Sequence, residues 1–292
     1  MRIIDSHVHL YPPELNAAPA AWAAAHGETH WSVLCTRQRR DGRPVQAFPA
    51  VAELLRELDA AGIERAVLLG WYWQRPENCA WQNRFFAECV RAHPDRLEAF
   101  ATIHPGAGRA ATLAEITRAR DDGLMGLGEL SPHSQGYAID DPVFRAALDC
   151  AAELGMPVNL HVTDPAGRPY PGRIETPLAD FLRLATDFPS LQFVLAHWGG
   201  LLALGEGGAA RALPANVHFD TAASPLLYGP EIWAQMAPFM DRVLFGSDYP
   251  LDLYPRETAA GGLKRFVAEA RDHGAGAGVL GGNYERLIRR TR

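Results

Sequence analysis

The chain has 292 residues, with 28 Lys and Arg against 34 Asp and Glu, a net charge of −6. At 48% hydrophobic and 21% charged it can bury a large core, which excludes disorder and coiled coil, and its acidic balance argues against a nucleic-acid footprint or a polybasic anchor. No apolar run nears the ~18 residues of a membrane span, and Asp5 interrupts the N-terminus where a signal peptide would be apolar, so a cytoplasmic globular protein with neither nucleic-acid nor membrane partners is expected.

In chain order, short runs rich in Val, Ile, Leu and Phe predict strands at 2–9, 65–71, 97–104, 124–130, 157–162, 191–197, 216–222 and 242–247. Amphipathic stretches between them predict helices at 51–61, 79–93, 109–122, 141–154, 176–188, 231–240 and 257–273. In the first of these, Val51, Leu54, Leu55 and Leu58 form the i, i+3, i+4, i+7 stripe of a helix facing a core. Gly62, Gly123 and Gly155 follow helices and precede strands, where a C-cap glycine belongs. Eight strand–helix units close a (β/α)8 TIM barrel. An open doubly wound sheet would usually bring a glycine-rich turn after the first strand, and this chain has His7-Val8-His9 there instead. The expected organisation is one domain over 1–292, with an insertion or lid at 10–50 after strand one and a final helix at 278–290 packed on the outside. Cys35, Cys79, Cys89 and Cys150 form no Cys-x-x-Cys pair and read as free thiols.

The functional face of such a barrel is formed at the C-terminal ends of its strands. His7 and His9 end strand one and, two residues apart, share a face. His161 ends strand five, His197 strand six and Asp248 strand eight. Each has a plain reading as a turn or cap residue, but four imidazoles and a carboxylate at one end make a zinc-type ligand set. Glu129 ends strand four, either as a salt-bridged carboxylate or as a ligand to a second cation. His104, ending strand three before Pro105, reads as a supporting or structural residue. The run Trp71-Tyr72-Trp73-Gln74 could wall a pocket, with Trp73 and Gln74 as substrate contacts, or pack beneath the insertion; Trp198 has the same two readings.

Taken in order, Asp5-Ser6-His7-Val8-His9, the strand-five histidine, Ala196-His197-Trp198-Gly199-Gly200, Gly246-Ser247-Asp248-Tyr249-Pro250 and the closing segment 279–287 resemble the amidohydrolase superfamily, in its amidohydrolase-related (amidohydrolase 2) branch of metal-dependent hydrolases and decarboxylases. The resemblance spans residue 2 to about 290. It implies that His7, His9, His161 and Asp248 bind one divalent cation, zinc being the expected ion, with His197 near the metal-activated water or the substrate. Strand four has no lysine of the kind that becomes a carboxylated bridge; Glu129 stands there and could hold a second ion, as in relatives similar to TatD. The reading that follows is hydrolysis of a small amide, lactone or ester, with Asp248 as general base and His197 stabilising the oxyanion. Non-oxidative decarboxylation of an aromatic or unsaturated acid is the rival lyase reading, and a non-catalytic metal or small-molecule binding protein is the third. Substrate identity is not legible. The apolar outer helices would permit a homodimer, which the branch often forms.

Overall fold

A computed structural model describes residues 2–205, 210–254 and 262–290. Eight parallel strands lie side by side in chain order: β1 (Ile4–Val8), β2 (Arg65–Leu69), β3 (Leu97–Ala101), β4 (Gly126–Leu130), β5 (Val158–Leu160), β6 (Phe193–Leu195), β7 (Val217–Asp220) and β8 (Val243–Leu244). The sheet closes where β8 meets β1: Ser6 N–H donates to Phe245 O at 2.8 Å, and Asp248 N–H donates to His7 O at 2.9 Å. This is the (β/α)8 barrel that the alternating pattern implied. Gly246 is required at the closure, because a Cβ there would stand 2.8 Å from the Cβ of His7.

Side chains alternate along the strands, apart from irregularities in β1 and β4, and two apolar layers result. One face of each strand (Ala66, Leu68, Ala99, Leu127, Val158, Phe193, Phe219) packs on the outer helices through Leu54, Phe86, Ile116, Phe144 and Leu184. The other face fills the barrel interior with Ile4, Val67, Leu69, Phe100, Val194 and Leu244. In β1 the register slips between Asp5 and Val8, and this irregularity lets Ile4 belong to the inner layer while His7 and His9 meet inside the mouth.

After β1, three short helices, α1 (Pro13–Ala17), α2 (Pro19–His26) and α3 (Thr29–Cys35), form the insertion. The barrel helices are α4 (Val51–Ala61), α5 (Pro76–Ala92), α6 (Arg109–Asp121), α7 (Pro132–Gln135), α8 (Pro142–Glu153), α9 (Leu178–Asp187), α10 (Ser224–Leu227), α11 (Glu231–Gln235) and α12 (Gly262–Asp272), and α13 (Asn283–Arg290) ends the chain. The helix expected at 231–240 is cut short: Pro238 cannot donate in a helix interior, and the chain turns through a 3₁₀ segment at Ala237–Phe239. Residues 257–261 of the expected helix 257–273 lie outside the described residues.

The position of α13 corrects the sequence expectation. It is not laid on the outside: Tyr284, Leu287 and Ile288 pack against the inward-facing residues Ile4, Val67 and Leu244. The helix stoppers the N-terminal end of the barrel because the inner layer is apolar at that end and has to be covered.

Candidate metal centre

Six residues from five strands and their loops converge at the opposite, C-terminal end. His7 and His9 bring their Nε2 atoms to 3.2 Å of each other, and Glu129 Oε2 lies 3.6 Å from His9 Nε2. The other oxygen, Oε1, accepts from His161 Nδ1 at 2.9 Å and lies 4.0 Å from His197 Nε2. Ligand atoms of His7, His9 and Glu129, and likewise of Glu129, His161 and His197, all fall within 4.8 Å of one another. Asp248 Oδ1 stands 3.5 Å from His9 Nε2 and 3.8 Å from His7 Nε2. All the residues read from the strand ends as ligands thus gather in one place, with Glu129 at the centre rather than at the margin.

The imidazoles are oriented from behind. His7 Nδ1 donates to Asp220 at 2.9 Å, His9 Nδ1 to Leu69 O at 3.1 Å and His197 Nδ1 to Ala222 O at 3.0 Å. Each outer nitrogen therefore carries a proton, and the three Nε2 atoms face inward. This is the donor chemistry of a divalent cation held by nitrogen and oxygen ligands with an outer set of acceptors, and the residues fit such an ion. An Nδ1-protonated His197 presents a lone pair at Nε2, as a ligand does.

The electrostatics differ from ring to ring. Burial opposes charge on His7, but Asp220, with Glu129 and Asp248 behind it, outweighs burial and raises the pKa to about 10. Burial, and then the charge on His7, pushes His9 down to about 3; burial, and then His161, pushes His197 to about 4. Burial would raise Glu129, yet His161, His7 and His9 hold it well below the ordinary carboxylate range. Asp248 moves the other way: burial, reinforced by the charges of Glu129 and Asp220, lifts it to about 8 against the pull of His7. It also keeps 15% of its side chain exposed, against 2% for Glu129.

The side chains of the four expected substrate contacts are engaged in bonds of their own. Trp73 is fully buried, donates from Nε1 to Gln82 at 2.7 Å and packs with Tyr11, Trp22 and Trp31 beneath the insertion. Gln74 accepts from the backbone N–H of His30 at 3.0 Å and serves to tie α3 down. Trp198 donates to Ser224 Oγ at 2.8 Å and lies edge-on to Trp233 in the outer layer. His104 caps the turn at Pro105–Ala107, accepting from Gly106 N–H while donating to Gln135 O.

Two rings earlier in the same aromatic run take the place at the mouth. Trp71 and Tyr72 stack at 4.3 Å, with Trp71 5.2 Å from the His9 ring and Tyr72 5.1 Å from His161. Asp220 was the other residue missed. Its only signal in the sequence is an acid closing an apolar strand, in Val217-His218-Phe219-Asp220.

Comparison with known proteins places these observations in a family. The amidohydrolase family model (amidohydrolase 2) matches residues 4–290. No relative is found among curated proteins. Among solved structures, 5-carboxyvanillate decarboxylase of Sphingomonas paucimobilis is similar with a TM-score of 0.72 and 20% identity over 99% of both chains. The 5-carboxyvanillate decarboxylase of Novosphingobium aromaticivorans, solved with manganese, has a TM-score of 0.71 and 18% identity over 99% of this chain and 96% of its own. A probable 2-pyrone-4,6-dicarboxylic acid hydrolase of Acinetobacter baumannii has a TM-score of 0.63 and 15% identity over 99% and 100%. At these identities the structures share the barrel. The family rests on the match to its model, which runs through the strand ends bearing His7, His9, Glu129, His161, His197 and Asp248, and the chain belongs to the amidohydrolase family of enzymes.

Proposed function

We propose that the protein is a metal-dependent hydrolase of a small amide, lactone or ester. The observation that carries this reading is Glu129, a buried carboxylate whose two oxygens address two different groups of imidazoles. His7, His9 and Glu129 would hold one divalent ion, with Asp248 at its edge; His161 and His197, sharing Glu129, could hold a second. A cation bound there supplies Lewis acidity, which polarises a carbonyl and makes water nucleophilic near neutral pH.

The chain's own groups do the rest. Asp248, part exposed at the edge of the ligand set, takes the proton of the attacking water and returns it to the leaving group. Asp220 keeps the His7 ring in one tautomer. Trp71 and Tyr72 offer a flat wall beside the ligands, suited to a ring-shaped or planar substrate. The groups gathered around the ligands are imidazoles, acids and aromatic rings.

Decarboxylation is the second reading, favoured by the likeness to two barrels named as 5-carboxyvanillate decarboxylases. Two assays on the metal-loaded enzyme separate the readings: acid release from a panel of lactones, esters and amides, and CO₂ release from hydroxylated aromatic acids. Hydrolysis requires activity in the first panel. CO₂ release alone would overturn it. Elemental analysis of protein purified without chelator tests the centre itself. Two equivalents of zinc or manganese, falling to one or none in Glu129→Gln, are expected of a bridging carboxylate, whereas one equivalent unchanged by the substitution removes Glu129 from the ligands.

A further inference from the structure

A second polar cavity lies at the other end of the barrel. It measures about 270 Å³ and is lined by His218, Asp241, Arg242, Asn283, Arg286 and Arg290, where α13 covers the start of β7 and β8. His218 sits two residues before Asp220 on the same face of β7, paired with Val194 of the inner layer. Asp220 points to the candidate metal centre; His218 points to the stoppered end.

The charges here are unbalanced. Arginines nearby are neutralised, as Arg65 is by Glu98 and Arg289 by Glu285. Among the described residues, Arg242, Arg286 and Arg290 form no salt bridge. Arg242 donates to Pro214 O and Arg286 to Asn283 Oδ1. Asp241 is the one acid among the residues lining the cavity, against the three arginines. That arrangement favours an anion in a protein whose overall charge is negative.

His218 refines the choice of anion. It is 5% exposed, and its Nε2 faces Gln192 Oε1 at 3.1 Å. A carbonyl oxygen accepts, so the proton is on Nε2, and Nδ1 is left as a buried lone pair without a partner. Burial, and then Arg290 and Arg242, hold the ring's pKa down at about 4, so it stays neutral at physiological pH. The cavity thus offers cationic donors together with one buried acceptor.

We propose that this cavity binds a small oxyanion that retains one hydrogen, with hydrogenphosphate as its model. Arg242, Arg286 and Arg290 take the charged oxygens, and the P–OH donates to His218 Nδ1. Sulfate matches the size and charge but has no hydrogen to give at this pH, and it leaves the imidazole unpaired. Because α13 contributes Arg286 and Arg290 while β7 contributes His218, occupancy also fastens the closing helix to the barrel.

The test is calorimetric titration of phosphate and of sulfate into the metal-loaded enzyme at pH 7.5 and constant ionic strength, repeated with Arg242→Gln and Arg290→Gln. The expected result is saturable phosphate binding, about tenfold tighter than sulfate and about tenfold weaker in each variant, with a rise in wild-type Tm on adding phosphate. Equal affinity for the two anions would overturn the role of His218. Phosphate binding that neither substitution changes would place the anion at the metal centre instead, and the absence of saturable binding would overturn the site altogether. Arg290 is exposed, so its variant keeps the test valid if Arg242→Gln folds poorly.

Discussion

Asp248 and His197 both adopt left-handed backbone, with φ of +64° and +56°, a region that non-glycine residues enter at a cost on the order of 1–3 kcal/mol each. Each is held there by bonds to a neighbouring strand end: Asp248 N–H donates to His7 O, and His197 N–H to Asp220 Oδ1 at 3.1 Å. The strain is the cost of aiming two side chains at one point from loops that would otherwise turn away. Asp248→Asn preserves shape and removes the proton acceptor, so kcat should fall roughly 100-fold or more while metal content stays unchanged. Turnover within about threefold of wild type would end the general-base role. Asp220 poses a different problem, since it accepts from His7 Nδ1, Asn159 Nδ2 and the backbone N–H groups of His197 and Ala222. An asparagine has a single acceptor oxygen and cannot serve all four. Asp220→Asn should weaken metal binding by about 10–100-fold in a competitive chelator titration, with Asp248 intact.

At the scale of elements, the insertion and the final helix divide the work of closing the barrel. Leu287 of α13 is 1% exposed against the inner layer, and Leu287→Ala should cost about 2–5 kcal/mol in urea unfolding. A loss below about 1 kcal/mol would show that the stopper contributes little. The sequence carried the strand–helix alternation clearly, because strands covered on both sides are almost wholly apolar and their ends stand out as His161, His197 and Asp248. It could not carry depth. Trp71, Tyr72 and Trp73 look equivalent in a one-dimensional run, yet only the first two reach the imidazoles, while the third turns beneath the insertion. Nor could it locate α13: a strongly amphipathic helix reads the same whether its apolar stripe meets the outside of a barrel or plugs one end. Asp220 was hidden for a similar reason, since an acid ending a strand is the ordinary signature of a turn.

For the whole molecule, acid should be felt first through the buried imidazoles. His218 is depressed from 6.5 to about 4 in the folded chain, so the unfolded chain binds the extra proton between those values. Its contribution to stability is fully present above pH 6.5 and is lost as pH falls through 4. Urea titrations in phosphate-free buffer should show stability declining over that window, with a shallower slope in His218→Gln; an unchanged slope would remove His218 as a contributor. The two edges of the mouth are built differently. On one, Ala47 N–H donates to Pro250 O and Asp252 N–H to Val45 O at 2.7 Å, so the insertion is sewn by main-chain bonds to the segment that follows Asp248. On the other, α3 and the residues just after it meet the loop after β5 through the His30 imidazole on Gly172 O at 2.8 Å and the Arg37 guanidinium over the Tyr170 ring. Main-chain bonds on one edge and side-chain contacts on the other mean that a substitution such as His30→Ala can loosen only the second, while the sewn edge holds Asp248 in register with His7.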